Sequence, residues 1–257
     1  MATWYDHPEY FDMLFRDETE GEVKFFEKAF ERIAKRKVKR VLEPGCGSGR
    51  LVVAMAAEGY EMTGLDLSES MLNYVNKQLK RKKLTAETVI GDMTQMDLPH
   101  KYDAAFCTFN TFRHLLSEKD AEAHLRSVAN HLNKGGIYIL GLHLLPLDAF
   151  EHAIERFTTN YGGTRVTTTI KVIEFDRRKR IEVLRVLVKA TKRSGVIERV
   201  KSEFPLRVYT CRQLKSLFKK VDDVLELAAV HDYEYDIDET ATFDDDLTEG
   251  VFVLRKR

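Results

Sequence analysis

Three glycines stand where an apolar segment of the sequence gives way to a helical pattern. The segment reads Val41-Leu42-Glu43-Pro44-Gly45-Cys46-Gly47-Ser48-Gly49-Arg50. Glycine tolerates positive φ and lets a ligand come close to the backbone, and free N–H groups at a helix start would face that ligand. The G-x-G-x-G spacing differs from the G-x-G-x-x-G of dinucleotide-binding proteins. By itself the pattern predicts either a ligand-binding turn or only a tight strand-to-helix turn.

Carboxylates stand at the ends of three successive apolar segments. Glu43 ends the first segment, Asp66 ends the second, and Asp92 follows the third. The carboxyl ends of parallel strands meet at one edge of a sheet, where open α/β proteins bind ligands. There Asp66 could accept hydrogen bonds from both hydroxyls of a ribose. Asp92 could accept one from an adenine amino group, with Met93 against the ring. The three acids together predict a site for an adenosyl group.

Hydrophobic periodicity predicts the elements that must position these side chains. Strands are predicted over residues 40–43, 62–65, 88–90, 104–108 and 137–142, and helices over 7–36 (in two pieces), 49–58, 69–82 and 117–133. Strands that alternate with helices imply βαβ units, and hence a parallel sheet with helices on both faces. The sequence up to residue 145 therefore predicts one doubly wound α/β domain.

The pattern changes after this domain. Three segments of alternating polar and apolar residues, 164–175, 180–192 and 196–208, predict antiparallel strands with one solvated face. A helix over 210–220 and closing strands over 224–233 and 250–255 follow. We predict an N-terminal helical cap over 1–36, a ligand-binding domain over 37–157 and 209–257, and an antiparallel β lid over 158–208.

Composition narrows the class of protein. Lys and Arg number 41, as do Asp and Glu, so the formal net charge is zero, which argues against a dedicated nucleic-acid-binding protein. No apolar run approaches the ~18 residues that cross a bilayer, and three widely spaced cysteines fit a reducing compartment. We expect a cytoplasmic protein with no nucleic-acid and no membrane partner. No metal site is expected, because consecutive acids such as Asp244, Asp245 and Asp246 make a poor cage.

The motifs resemble, in order, those of the class I S-adenosylmethionine-dependent methyltransferases. They comprise the glycine-rich turn, Gly64-Leu65-Asp66-Leu67-Ser68-Glu69-Ser70-Met71-Leu72, Gly91-Asp92-Met93, Tyr102-Asp103-Ala104-Ala105-Phe106 and Leu132-Asn133-Lys134-Gly135-Gly136. The antiparallel segment is similar to the β lid of small-molecule members such as glycine N-methyltransferase and amino-sugar N-methyltransferases. The resemblance implies a seven-stranded, mostly parallel, Rossmann-like sheet with an inserted antiparallel lid.

The resemblance also implies a cofactor, S-adenosylmethionine, and its product, S-adenosylhomocysteine. It places Glu43 near the amino group of the cofactor, Asp66 on its ribose and Asp92 on its adenine. The residues predicted to contact the cofactor are Tyr10, Glu43, Gly45, Cys46, Gly47, Asp66, Leu67, Met71, Asp92, Met93 and Phe109. Tyr10 belongs to a group of N-terminal aromatic residues that either line the ligand site or pack into the core.

Methyl transfer from a sulfonium is an in-line displacement, so alignment alone can supply ~7–11 kcal/mol and no catalytic dyad is required. An amine acceptor must nevertheless lose a proton, which a histidine could take. The candidate catalytic residues are His114, just past the fourth strand, and His143, at the end of the fifth. Asn110 could orient the substrate. Each of the three is also interpretable as a purely structural residue.

The predicted activity is methyl transfer to a small-molecule acceptor, at an amine nitrogen rather than at oxygen or carbon. A nicotinamide-dependent Rossmann oxidoreductase is one alternative, although the glycine spacing disfavours it. A nucleic-acid methyltransferase is a second, but Phe109-Asn110-Thr111-Phe112 replaces the Asn/Asp-Pro-Pro-aromatic stretch of many such enzymes. A protein that binds the cofactor and only regulates or scaffolds a partner is a third. The oligomeric state is expected to be monomer or homodimer.

Overall fold

Five parallel strands form the centre of the molecule, as the alternating sequence pattern predicts. The computed structural model describes residues 4–145 and 153–257, so parts of the predicted helical cap (1–3) and ligand-binding domain (146–152) lie outside the described residues. The central strands are β1 (Arg40–Pro44), β2 (Glu61–Asp66), β3 (Glu87–Ile90), β4 (Tyr102–Cys107) and β5 (Leu132–His143). The helices are α1 (Pro8–Leu14), α2 (Thr19–Arg32), α3 (Arg50–Ala57), α4 (Glu69–Lys82), α5 (Glu118–His131) and α6 (Cys211–Lys220).

Two C-terminal strands complete a seven-stranded sheet. The lid strands are β6 (Ile154–Tyr161), β7 (Thr164–Asp176), β8 (Ile181–Thr191) and β9 (Ile197–Arg207), and the closing strands are β10 (Leu225–His231) and β11 (Glu249–Lys256). The order in the large sheet is β10-β11-β5-β4-β1-β2-β3. Strand β11 runs antiparallel to both β5 and β10. The sheet is therefore mostly parallel and has one reversed strand, which confirms the predicted fold class.

Each face of the large sheet has its own hydrophobic core, because successive side chains on a strand point to opposite faces. Val41 packs in the core formed with α2, α3 and α4, whereas Leu42 packs in the core formed with α5 and α6. Ser68 begins α4 by accepting a hydrogen bond from the Met71 amide, and Thr210 with Gln213 forms a capping box at α6. These caps fix where the helices leave the strand ends.

The lid is a separate four-stranded antiparallel sheet in the order β6-β7-β8-β9. The sequence pattern predicted three of these strands and missed β6, whose side chains are mostly exposed because it lies at the sheet edge. One face of the lid packs against Trp4 and Tyr10 through a third small core. The N-terminal segment thus lies between the lid and the main domain.

One predicted boundary is wrong. The helix predicted over 117–133 ends at His131, and β5 begins at Leu132 rather than at residue 137. The two glycines that were expected only to stop the helix lie inside the strand, where Gly135 has a φ of +76° and the pairing with β4 shifts register. Among the described residues, no helix is long and apolar enough to cross a bilayer.

Candidate functional site

The glycine-rich turn connects β1 to α3, and glycine is required there by close approach of neighbouring side chains. Gly45 and Gly49 have φ values of +70° and +69°. A Cβ on Gly45 would lie 2.4 Å from Cγ2 of Thr111, and a Cβ on Gly49 would lie 2.4 Å from Cγ2 of Val75. At Gly47 a Cβ would meet no atom within 4 Å. The turn is thus packed on two sides and open at Gly47.

The amides of this turn are used inside the protein. Gly45 and Cys46 donate to the Leu65 carbonyl oxygen at 2.6 and 3.0 Å. Gly47 donates to Oδ2 of Asp66 at 2.8 Å. These three amides are therefore taken up by residues of β2. The N–H groups expected to face a ligand are those at the start of α3, and that expectation stays a prediction.

Glu43 carries the feature of the site that most requires a ligand. Its side chain is 8% exposed, and its Oε2 atom is buried without a hydrogen-bond partner. Burial raises the pKa of this carboxyl well above its ordinary value, and the nearby Arg50 only partly offsets the effect. Arg50 is committed elsewhere, because its Nη2 atom lies 2.5 Å from Oε2 of Glu22. Glu43 is therefore a buried carboxyl whose hydrogen bond with the Val52 backbone and attraction to Arg50 do not satisfy its Oε2 atom.

Asp66 lies beside the glycine-rich turn, at the end of β2. In addition to the Gly47 amide, it accepts the Ser68 amide on Oδ1 at 2.8 Å, so it joins the turn to the start of α4. Burial raises the pKa of Asp66. The next residue, Leu67, has its side chain 72% exposed, whereas Met71 is buried. An exposed leucine next to a partly buried carboxylate is a surface that an adenosyl group would cover.

Asp92 and Met93 follow β3 on the same edge of the sheet. Oδ1 of Asp92 accepts from both the amide and the hydroxyl of Thr94, each at 2.8 Å. Its second oxygen has no partner among the described residues. The sulfur of Met93 would lie 3.7 Å from a Cβ on Gly45, so Met93 adjoins the glycine-rich turn. The structure therefore brings Glu43, Asp66 and Asp92 to one edge of the sheet.

Two strained residues follow β4. Phe109 and Asn110 both have positive φ, 54° and 65°, a conformation that non-glycine residues adopt at an energetic cost and often at functional sites. The Phe109 ring packs on Phe15 with centroids 4.7 Å apart and lies 5.0 Å from the Arg50 guanidinium. Oδ1 of Asn110 accepts from the His143 amide at 2.8 Å, which ties the ends of β4 and β5 together.

The two candidate histidines are both held in the neutral form. His114 shares a 3.0 Å hydrogen bond between its Nε2 atom and the Tyr5 hydroxyl. Nε2 of His143 lies 3.4 Å from Oε1 of Glu249. Surrounding protein atoms and the charge of Arg113 lower the pKa of each histidine to about 4. Both imidazoles are therefore neutral at neutral pH, and each is a weaker base than an ordinary histidine.

Tyr10 does not lie at the glycine-rich turn. Its side chain is 2% exposed, its hydroxyl donates to Glu198 on β9, and its ring stacks on His7. Tyr5, which the sequence analysis did not include in the cofactor set, lies near Asp66. Burial and the charge of Asp66 together raise the pKa of the Tyr5 hydroxyl. The Tyr5 carbonyl accepts from the Ser70 hydroxyl at the start of α4.

A recess beyond the fifth strand was not predicted from the sequence. It has a volume of about 290 Å³, and its lining includes Tyr233 and the carboxylates of Asp232, Glu234, Asp246 and Glu249. The Tyr233 ring lies 5.2 Å from the His143 ring and stacks on Tyr235 at 5.8 Å. Burial, together with repulsion from Glu155, Glu234 and Asp232, raises the pKa of Glu249. The only available signal was the acidic composition of the loop over 232–249.

The sheet order and the strand-end groups define a class of protein. The chain superposes on DesVI from Streptomyces venezuelae with a TM-score of 0.79, covering 98% of both chains at 17% identity. It also superposes on CalS10, an amino pentose methyltransferase from Micromonospora echinaspora solved with S-adenosylmethionine bound. That match has a TM-score of 0.70 and covers 95% of this chain and 97% of the other at 20% identity. The chain therefore has the fold of the S-adenosylmethionine-dependent methyltransferases.

Sequence comparison supports the same class over part of the chain. Residues 41–136 match the family model of a methyltransferase domain. Glycine/sarcosine N-methyltransferase of Aphanothece halophytica is 30% identical over 59% of this chain and 56% of its own length. An amino-sugar N,N-dimethyltransferase of Streptomyces fradiae, which acts on a dTDP-linked 3-amino-3,6-dideoxyglucose, is 26% identical over 57% of this chain and 56% of its own. The chain spans about half the length of the curated relatives it matches. The resemblance drawn from the motifs is confirmed.

Proposed function

We propose that this protein is an S-adenosylmethionine-dependent methyltransferase that transfers a methyl group to an amine nitrogen of a small molecule. The observation that carries the proposal is the set of carboxylates at the ends of β1, β2 and β3, beside a glycine-rich turn. This set lies within the segment that matches the methyltransferase domain model. A Rossmann oxidoreductase is disfavoured, because its sheet follows the order 3-2-1-4-5-6 in parallel, whereas β11 is antiparallel.

The residues present fit the cofactor. The buried, unpartnered Oε2 of Glu43 suits the amino group of the methionine part of the cofactor. Asp66 would hold the ribose hydroxyls, and the free oxygen of Asp92 would accept from the adenine amino group. Leu67, which is exposed, and Met93, which adjoins the glycine-rich turn, would flank the adenine ring. Of the other predicted contacts, Gly47 is open to a ligand, whereas Cys46 is buried in the core and Tyr10 packs under the lid. Gly45, Met71 and Phe109 stay predicted contacts.

When bound, S-adenosylmethionine supplies an electrophilic methyl group on a sulfonium. The chain itself has to bind and orient the acceptor, exclude water and take up a proton. His143 lies beside the acidic recess as a neutral imidazole, so it can accept a hydrogen bond from an ammonium acceptor. The Glu249 carboxylate, 3.4 Å away, would stabilise the imidazolium once the proton is transferred. His114 is the second candidate base, and Asn110, by fixing the end of β5, positions His143.

The charges around the recess favour a cationic acceptor. Four carboxylates and an aromatic ring line it, and both groups attract ammonium ions. The neighbouring cations are already paired: Arg50 with Glu22, and Arg113 with Glu182. An acceptor that carries an amine without a carboxylate is therefore favoured over a free amino acid. The relatives named above act on amine nitrogens, which supports the same acceptor atom.

A methyl-transfer screen with radiolabelled cofactor tests this proposal. Matched pairs of acceptors would differ only in a carboxylate, for example an amino sugar and its uronic-acid counterpart, or an amine and the related amino acid. We expect transfer to the carboxylate-free member of a pair and a ~10²-fold or larger loss of kcat in His143→Asn. Transfer only to hydroxyl or carbon acceptors, or no transfer to any acceptor despite cofactor binding, contradicts the proposal.

A further inference from the structure

The outer face of the lid sheet carries a concentration of positive charge. Four consecutive rows of paired residues cross its strands: Asn160 with Arg165, Thr191 and Ile197; Thr158 with Thr167, Lys189 and Arg199; Arg156 with Thr169, Leu187 and Lys201; and Ile154 with Lys171, Arg185 and Glu203. Seven of these sixteen residues are Lys or Arg, and one is acidic. We call this surface the basic lid face.

The charge on the basic lid face is largely uncompensated. The one carboxylate, Glu203, is shared by Arg185 at 2.6 Å and Lys201 at 2.9 Å. The other five cations have no ion-pair partner among the described residues. The alternate residues of the same strands, such as Val166 and Val188, are buried against the N-terminal segment. The lid is thus anchored by one face and exposes the other. The exposed face has a formal charge of +6, from seven cations and one acid.

Apolar side chains are exposed on the same surface. Ile154 is 61% exposed, Leu187 43% and Ile197 44%. A shallow groove of about 340 Å³ runs between the cations of β8 and β9, with hydroxyls of Thr167 and Thr169 in its floor. Cations interspersed with exposed aliphatic side chains combine the two attractions by which peripheral proteins bind lipid: charge to anionic headgroups and insertion of apolar groups at the interface.

Other polyanionic or protein partners fit this surface less well. Sheets that bind single-stranded nucleic acid stack bases on aromatic side chains, and none of the sixteen residues is aromatic. The major groove of a duplex admits a helix or a two-stranded ribbon rather than a four-stranded sheet. A symmetric pairing of two copies through this face would bring like charges together.

We propose that the basic lid face docks on an anionic lipid bilayer. The sequence analysis expected no membrane partner because no apolar segment is long enough to span a bilayer. That observation does not concern the distribution of charge, and a peripheral contact needs only one basic face. The strand ends of the large sheet remain on the other side of the lid, so docking and cofactor binding use different surfaces.

Vesicle co-sedimentation of the full chain tests the proposal. The probes are vesicles of phosphatidylcholine alone and vesicles of phosphatidylcholine mixed with phosphatidylserine. We expect binding only to the anionic vesicles, with loss of binding at high salt because exposed charges are screened.

Two charge-matched variants locate the contact. The first combines Lys189→Glu, Arg199→Glu and Lys201→Glu on the basic lid face. The control combines Lys77→Glu, Lys80→Glu and Arg81→Glu on the exposed side of α4. The lid-face variant should lose at least tenfold in vesicle affinity, and the α4 variant should keep it. Thermal unfolding and binding of S-adenosylhomocysteine check that both variants are folded.

Several outcomes overturn the proposal. One is absence of binding to anionic vesicles, and another is an equal loss in the two variants. A wild-type dimer that the lid-face substitutions dissociate would instead make the surface an interface between copies. Displacement of the protein from vesicles by single-stranded RNA at lower concentration than by soluble phosphoserine would assign the surface to nucleic acid. Each of these results is independent of whether the proposed methyl transfer occurs.

Discussion

At the scale of single residues, the site buries the Glu43 carboxyl, where its ionised form is unfavourable. Burial raises the pKa of Glu43, so the folded protein holds a proton there more tightly than the unfolded chain does. The stability contributed by the protonated carboxyl is present at low pH and is lost as the pH rises through the raised pKa. Above that pH the folded protein carries a buried charge that Arg50 and the Val52 backbone only partly compensate. A ligand ammonium would remove this cost.

The substitution Glu43→Gln should therefore separate stability from binding. Because Gln has no charge to bury, we expect the free energy of unfolding of Glu43→Gln to rise relative to that of the wild type as the pH increases. We also expect at least a tenfold loss in affinity for S-adenosylhomocysteine. Denaturant unfolding and calorimetry measure the two quantities. Glu58→Gln, an exposed carboxyl at the end of α3, is the control and should change neither. A Glu43→Gln variant that binds with unchanged affinity contradicts the assigned role.

Some site residues could be predicted from the sequence and others could not. Glu43, Asp66 and Asp92 follow from strand endings, because the position of a residue after a parallel strand determines the sheet edge at which it lies. Tyr233 follows β10 and Glu249 begins β11, where it pairs with His143. The acidic composition of the loop between them was the only signal that the sequence offered for either residue. The sequence also does not show that Leu65 and Asp66 accept the hydrogen bonds of the amides in the glycine-rich turn.

At the scale of elements, the N-terminal segment connects the lid to the main domain. The Trp4 amide donates to Ser202 of β9, while the Tyr5 carbonyl accepts from Ser70 at the start of α4. Trp4 is 4% exposed and packs under the lid strands. The sequence left two roles open for the N-terminal aromatic residues, and Trp4 and Tyr10 take the packing role. The segment thereby contacts both the lid and the start of α4.

Replacing Trp4 with Ala should loosen the lid more than the large sheet. Removal of a buried tryptophan typically costs about 3–5 kcal/mol, and here the loss falls on the small core under the lid. Hydrogen exchange should accelerate in β8 and β9 while β1 and β4 keep their protection. Leu227→Ala, at a 41% exposed position of β10, serves as the control. Unchanged protection of the lid strands in the Trp4 variant contradicts this account.

At the scale of the whole molecule, a buried histidine links the site to the core. His124 is fully buried. Its Nδ1 atom is hydrogen-bonded to the Met93 carbonyl oxygen at 3.0 Å, and its Nε2 atom is hydrogen-bonded to the Tyr138 hydroxyl at 2.7 Å. Burial lowers its pKa to about 4. The unfolded chain binds a proton at higher pH than the folded protein does. The stability due to neutral His124 is therefore lost as the pH falls from the ordinary pKa toward the lowered one.

The substitution His124→Gln should flatten the acid limb of the stability profile. Between pH 7 and pH 4 the free energy of unfolding should fall by roughly 3 kcal/mol more in the wild type than in the variant. The difference arises because folding lowers the pKa of His124 from 6.5 to about 4. The variant is expected to be less stable at neutral pH, so the informative quantity is the slope of the unfolding free energy against pH. Parallel profiles for the two proteins contradict the assignment.

The most direct test of the proposed function is titration calorimetry with S-adenosylhomocysteine. We predict one binding site per chain. In Asp66→Ala the free energy of binding should become less favourable by about 1–3 kcal/mol through lost hydrogen bonds. Asp97→Ala, at an exposed position beyond β3, should bind as the wild type does. No detectable binding at millimolar ligand, or equal affinity in the wild type and Asp66→Ala, would contradict the claim that this sheet edge holds an adenosyl group.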